Sequence, residues 1–418
     1  MVLEQLESAI RFMPMSNKGV ARASRRSIED LAIFGNPAAF VEPKHVGEPN
    51  VGNIDVFLRR AGGALKTHRL TNDGPLVKEL EERVGALADV EYAIAVCNAT
   101  VGLQLVVRAL GLKGEVIVPS FTFVGTAHAL EWIGITPRFC EVDPKSHTLN
   151  PRAVESAITS STTGILPVHI WGRPCEIDNL SEIAHSHQLS LVFDAAQALG
   201  SSYRGTPIGG FGDAEVFSLH ATKVVNSAEG GVITTRSSEL AERLRRMRNF
   251  GFFGYDAVDG IGTNGKMNEI SAALGLTSLD SFQEFVAVNR RNHEQYVEEL
   301  RELPGVRLSQ FGEGEQHNFN YVVLEIDSQR THLSRDLLME VLHKENILAR
   351  RYFYPGCHRV LPYATAGQRL PVTEALCDRV LVLPTGTSTS SEDISGISSI
   401  VRLAVTHGKA IVDAFGSR

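Results

Sequence analysis

Cysteine is scarce and scattered in this 418-residue chain. Its five cysteines, Cys97, Cys140, Cys175, Cys357 and Cys377, include no C-x-x-C pair. That pattern speaks against a disulfide frame or a thiolate zinc site and reads as reduced intracellular thiols. Long apolar runs are missing as well. No stretch approaches the roughly 18 residues of a membrane span, and the amino terminus lacks the apolar core of a signal peptide. Nor is there a cationic excess: the formal charge is −7, whereas a nucleic-acid binder relies on a basic surface. The expected partners therefore include neither nucleic acid nor membrane, and the expected compartment is the cytoplasm. The glycine-rich run over residues 205–212 matches neither G-x-G-x-x-G nor a P-loop, and H-E-x-x-H, nucleophile-elbow and EF-hand patterns are absent. Metal-assisted and serine hydrolysis thus have no support, and no metal is expected.

What the chain does contain is ordinary for a folded protein: 43% hydrophobic and 21% charged residues, over a length that suits two or three domain-sized units. Residues 11–27 are basic and free of acids, and read as an arm. After the Gly/Pro/Asn-rich stretch at 46–53, Leu76, Leu80, Val84 and Leu87 fall at helical spacing. Strand and helix signals then alternate. Tyr92 to Val96, Val116 to Pro119, Gly164 to Val168, Leu191 to Phe193 and Val232 to Thr235 are apolar runs, with helical stretches between several of them. Continuous apolar strands separated by helices predict an α/β fold with a mainly parallel sheet covered on both faces. A long helical region from Met267 to about Leu303 follows, then an alternating strand over Asn320 to Ile326 and a helix around Leu337 to Glu345. The expected organisation is an N-terminal arm over 1–48, a large domain over 49–285 and a small α+β domain over 286–418.

The chemistry should gather where parallel strands end. Asp194 closes the apolar run Leu191-Val192-Phe193, and Lys223 follows in the polar, small-residue turn after Phe217-Ser218-Leu219-His220. An amine that forms a Schiff base needs a lowered pKa, and a carboxylate beside a pyridine ring keeps that ring protonated. The pair suggests pyridoxal phosphate, although a strand-end Asp also serves as a turn former and a lone Lys as a solvated group. Asn98-Ala99-Thr100 lies between a strand and a helix. Its amides and the Thr100 hydroxyl suit a phosphate, or the motif is a simple helix cap. Ser120-Phe121-Thr122-Phe123 offers an aromatic face for a heteroaromatic ring, or core packing. Ser218 could add a phosphate contact.

Several motifs, in order, resemble one family. Leu70-Thr71-Asn72-Asp73-Gly74-Pro75-Leu76, Pro119-Ser120-Phe121-Thr122-Phe123, Asp194-Ala195-Ala196-Gln197-Ala198-Leu199-Gly200, Phe217-Ser218-Leu219-His220-Ala221-Thr222-Lys223 and Glu229-Gly230-Gly231 are similar to the DegT/DnrJ/EryC1/StrS sugar aminotransferases. The resemblance implies fold type I, a pyridoxal phosphate cofactor that passes through pyridoxamine phosphate, and a homodimer with shared active sites. It makes Lys223 the Schiff-base lysine and Asp194 the partner of the pyridine nitrogen. Ala99, Thr100 and Ser218 match phosphate ligands, and Phe123 the ring-stacking aromatic. Gln197 stands where many relatives have His, near the phenolic oxygen. Asn264 matches an Asn that reaches the phosphate of the neighbouring subunit, with flanking residues that depart from the common pattern.

Further segments, among them Val168 to Cys175, Tyr352 to His358 and Leu383 to Thr387, resemble the C4 aminotransferases of deoxysugar pathways, some of which serve antibiotic biosynthesis. The implied reaction moves an amino group from L-glutamate to C4 of dTDP-4-keto-6-deoxy-D-glucose, giving dTDP-4-amino-4,6-dideoxy-D-glucose. Amination at C3 of a 3-keto sugar, and a non-catalytic cofactor-binding regulator, are the alternatives.

Overall fold

Seven apolar segments pair into one sheet in the computed structural model, which describes residues 25–312 and 315–416. The first 24 residues of the expected arm, and most of its basic stretch, lie outside the described residues. The strands are β1 (Tyr92–Val96), β2 (Glu115–Pro119), β3 (Thr136–Cys140), β4 (Thr162–Ile165), β5 (Ser190–Asp194), β6 (Ala214–Ser218) and β7 (Gly231–Thr235). Their order across the sheet is β1-β7-β6-β5-β4-β2-β3. Pairs β6/β5, β5/β4, β4/β2 and β2/β3 are parallel, and only β7 runs antiparallel to its neighbours. The expected mainly parallel α/β sheet is therefore present.

Its strands are apolar on both sides because both faces are covered. Phe193, Phe217 and Val232 point into one core cluster, whereas the adjoining Val192, Val216 and Ile233 point into another. This is the period of two of a strand whose faces are equally buried. Helices α1 (Ile54–Thr67), α2 (Pro75–Ala88), α3 (Ala99–Ala109), α4 (Gly125–Glu131) and α5 (Ser238–Met247) belong to this layered unit. Proline at the first position of α2 fits a site with no N–H to satisfy. The next two amides of that helix, at Leu76 and Val77, donate to the buried Glu269 carboxylate at 3.0 Å each.

The helical region expected from 267 to 303 divides at Ser281 into α6 (Glu269–Asp280) and α7 (Phe282–Leu300). Beyond it, β8 (Val306–Leu308), β9 (Val322–Ile326) and β10 (Val380–Leu383) make an antiparallel sheet with β9 in the centre. Helices α8 (Arg335–Lys344) and α9 (Ser391–Thr406) pack on it. Along β9, Val322, Leu324 and Ile326 enter this second core. Tyr321 and Val323 face the other way, into a cluster with Phe121 and Trp171 of the seven-stranded unit. Strand alternation thus aims Tyr321 at the junction between the two sheets.

From Arg25 onward the expected arm is docked on its own chain. Leu31 and Phe40 are fully buried in the second core, and Lys44–His45 pairs with Ile347–Leu348.

Candidate active site

Four chain segments meet at the carboxyl edge of the seven-stranded sheet. Asp194 ends β5 opposite Val216 of β6, and Ser218 ends β6 opposite Gly231. Gly231 also faces Val96, the last residue of β1. A Cβ on Gly231 would stand 2.8 Å from the Ala99 nitrogen, so glycine lets the amino end of α3 close down on the sheet. The loop at 120–123 leaves β2 on the other side of β4 and β5.

Asp194 is 6% exposed. Thr126 Oγ1 donates to its Oδ2 at 2.8 Å, and the Ala196 N–H donates to its Oδ1 at 3.1 Å. Burial pushes the carboxyl pKa above its usual range; the Thr126 and Ala196 hydrogen bonds, with the charges of Lys223 and His169, pull it back down. A carboxylate so buried is stabilised by a cationic or N–H partner.

Lys223 lies in the turn between β6 and β7, half-buried, and its Nζ donates to the Tyr321 hydroxyl at 3.0 Å. At the head of α3, Asn98 Oδ1 accepts from the Val101 N–H at 2.9 Å, and the Asn98 carbonyl accepts from Gly102. The Ala99 and Thr100 amides make no hydrogen bond to any described residue. The cap reading is therefore correct for Asn98 and compatible with an anion at the two amides that follow it. Ser218 Oγ accepts from the His220 N–H at 3.2 Å, which leaves its own proton free to donate. Phe121 is fully buried, the core reading, whereas Phe123 is 63% exposed. Gln197 Oε1 accepts from the Trp171 N–H, which turns its amide NH2 away from that bond.

Asn264 stands apart. It is exposed, on a segment bridged to Asn249 and, through Lys266, to the end of β1. Motif reading also missed Thr126 and Tyr321. Thr126 sits in the first turn of α4, and no local pattern marks it as a partner of Asp194. Tyr321 was legible only as a strand residue.

The sequence matches the DegT/DnrJ/EryC1/StrS aminotransferase family over residues 55–402. The chain belongs to this family. Members similar to this enzyme include a dTDP-4-amino-4,6-dideoxy-D-glucose transaminase of Shigella dysenteriae, 35% identical over 363 residues, spanning 86% of this chain and 99% of the relative. A UDP-N-acetyl-3-dehydro-alpha-D-glucosamine 3-aminotransferase of Acidithiobacillus ferrooxidans is 32% identical, over 79% of this chain and 89% of the relative. Among solved structures, DesI in the presence of its TDP-sugar product superposes with a TM-score of 0.90 at 49% identity. That match covers 93% of this chain and all of DesI.

Membership makes this aminotransferase an enzyme of pyridoxal phosphate, and its residues fit that group. Two free amides at a helix amino end suit the phosphate, with the Ser218 hydroxyl close by in the register of β6 and β7. A buried carboxylate that lacks a full counter-charge suits a pyridinium nitrogen. The uncovered Phe123 ring suits a flat heteroaromatic face.

Proposed function

We propose that this aminotransferase moves an amino group from L-glutamate to C4 of dTDP-4-keto-6-deoxy-D-glucose, yielding dTDP-4-amino-4,6-dideoxy-D-glucose. The likeness to DesI, complete over that chain and at 49% identity, carries the reading. The Shigella relative, named for the same amino sugar, supports it. A cavity of about 640 Å³ opens beside Phe123, bordered by Arg350, Arg351, Tyr352 and Tyr354. Its cationic and aromatic walls suit a nucleoside diphosphate. Such a product belongs to deoxysugar assembly, including antibiotic biosynthesis.

When bound, pyridoxal phosphate supplies a ring that absorbs the electron pair left as the amino-bearing carbon loses its proton. In this reading Asp194 holds a proton on the ring nitrogen, while Thr126 and the Ala196 amide keep the carboxylate aimed. Ala99, Thr100 and Ser218 would hold the phosphate, Phe123 would offer its ring for stacking, and the Gln197 NH2 would be free to donate to the phenolic oxygen. Lys223 Nζ, once released, would act as the base that takes the proton from the glutamate carbon and as the acid that gives it back, and would serve the sugar carbon in the opposite sense. Acting from one face, it sets the stereochemistry. Glutamate leaves as 2-oxoglutarate before the sugar reacts, so the kinetics should be ping-pong.

The working form in this proposal is a cytoplasmic homodimer with shared sites. Phe250, Phe253, Tyr255, Val258 and Ile261 form an exposed apolar patch next to Asn264, which supports burial there against a second copy. Five unpaired cysteines support a reducing compartment.

The deciding assay combines the holoenzyme, glutamate and either dTDP-4-keto-6-deoxyglucose or a 3-keto isomer, with the product identified by nuclear magnetic resonance. Amination at C4 is expected. Amination of the 3-keto sugar alone moves the reaction to C3. A cofactor spectrum that glutamate leaves unchanged would make the protein a regulator.

A further inference from the structure

Tyr321 belongs to none of the motifs at the sheet edge, yet its hydroxyl is the group that receives Lys223 Nζ, at 3.0 Å. The ring is 5% exposed and meets Trp171 edge-on, with centroids 5.6 Å apart. Its neighbours pin it in place. Asn318 Nδ2 donates to the carbonyls of Gln197 and Leu199, at 2.8 and 3.1 Å. Asn320 Nδ2 donates to the Thr222 carbonyl at 3.1 Å. One short segment leading into β9 therefore clasps both the loop after Asp194 and the turn that carries Lys223.

A lysine ends in a compact amine on a stem of four rotatable bonds. Left to itself, such a side chain samples many rotamers once its amine is released during turnover. A phenol hydroxyl accepts a hydrogen bond from an ammonium and donates one to a neutral amine. It holds the nitrogen in both protonation states.

We propose that Tyr321 is the positioning residue of Lys223, fixing the released amine over the face of the cofactor where protons are moved. The inference rests on the role of Lys223 proposed above. It assigns Tyr321 no contact with the cofactor; the phenol works through the amine alone.

Tyr321→Phe keeps the ring against Trp171 and removes only the hydroxyl. In the full-length holoenzyme, the midpoint at which pH changes the visible spectrum of the lysine-bound cofactor should shift by about one pH unit, the scale of one hydrogen bond to a charged group. In steady state, kcat should fall about tenfold, with KM for the sugar unchanged. Val323→Ala, on the same face of β9 but without a polar atom, should lower thermal stability and leave the spectral midpoint in place. Borohydride reduction and peptide mapping of the Phe variant complete the test. A label on Lys223 with midpoint and kcat unchanged overturns the role of Tyr321 alone. A label on another lysine overturns both that role and the reading of Lys223.

Discussion

Thr126 Oγ1 reaches Asp194 Oδ2 at 2.8 Å across 68 positions of sequence, and the Thr122 hydroxyl stands 3.1 Å behind it. The first turn of α4 and the loop after β2 thereby support the acid that β5 buries. Burial raises the Asp194 pKa in the folded apoenzyme, so the native state holds the proton to a higher pH than the unfolded chain does. The contribution of this one carboxyl to apoenzyme stability is then fully present below its ordinary pKa of 3.8, and it is lost as pH rises through the raised native value. Asp194→Asn removes the ionisation. At neutral pH the variant apoenzyme should resist urea as well as the parent or better, while turnover falls by about 10²–10⁴-fold. A large loss of apoenzyme stability at neutral pH would contradict this account.

Lys223→Ala should abolish the covalent link to the cofactor and lower kcat by at least about 10²–10⁴-fold. Borohydride should then fail to fix the cofactor to the protein. Thermal stability of the apoenzyme should change little, since Lys223 is half-buried and its side-chain amine donates to a hydroxyl rather than to a buried charge. Persisting turnover, or a label on another lysine, would refute the role.

The loop that carries Phe123 is anchored by a buried His358. Its Nδ1 lies 2.6 Å from Ser120 Oγ, and its Nε2 lies 3.3 Å from Glu374 Oε1. The Ser120 carbonyl accepts from the Cys357 N–H at 2.8 Å. Burial lowers the His358 pKa below 6.5, against the pull of Glu374, whose own pKa is held down at about 2, chiefly by Arg369. The unfolded chain therefore binds this proton first. The contribution is fully present above pH 6.5 and is lost as pH falls toward the native value. Urea midpoints measured between about pH 7 and 5 should fall less steeply for His358→Gln than for the parent, after allowance for the variant's lower starting stability.

Glu345 holds the amino-terminal segment. Its carboxylate, fully buried, accepts from the Ala32 and Ala39 amides at 2.7 Å each and pairs with Arg25 at 2.6 Å. Glu345→Ala strands two amides and a guanidinium, and should destabilise the protein by about 3–5 kcal/mol. A urea curve that remains two-state, with an earlier midpoint, is the expected observation. If the effect stays below about 0.5 kcal/mol, the magnitude expected of a surface change, the clasp is not structural.

Much of the frame was legible because it is local. Apolar runs bounded by turn residues marked β1, β2, β5 and β7, and strand ends marked Asp194, Ser218 and the Ala99-Thr100 turn, since a parallel sheet exposes its carboxyl ends to ligands. Ser281 interrupted what read as one helical region, because a serine is compatible with both a helix and its end. Periodicity likewise left Phe121 and Phe123 equivalent; only packing separated the buried ring from the exposed one.

By itself the sequence determined the α/β class with its alternation of apolar strands and helices, the family, and a lysine and an acid of matched chemistry. These follow from residue type and short spacing, which act within a few positions along the chain. Tertiary structure alone decided that Thr126 supports Asp194, that Glu345 clasps Arg25, and that Tyr321 receives Lys223. Hydrogen bonds reach about 3 Å through space and are indifferent to sequence separation. Which partners come within that reach is settled only when the two sheets pack.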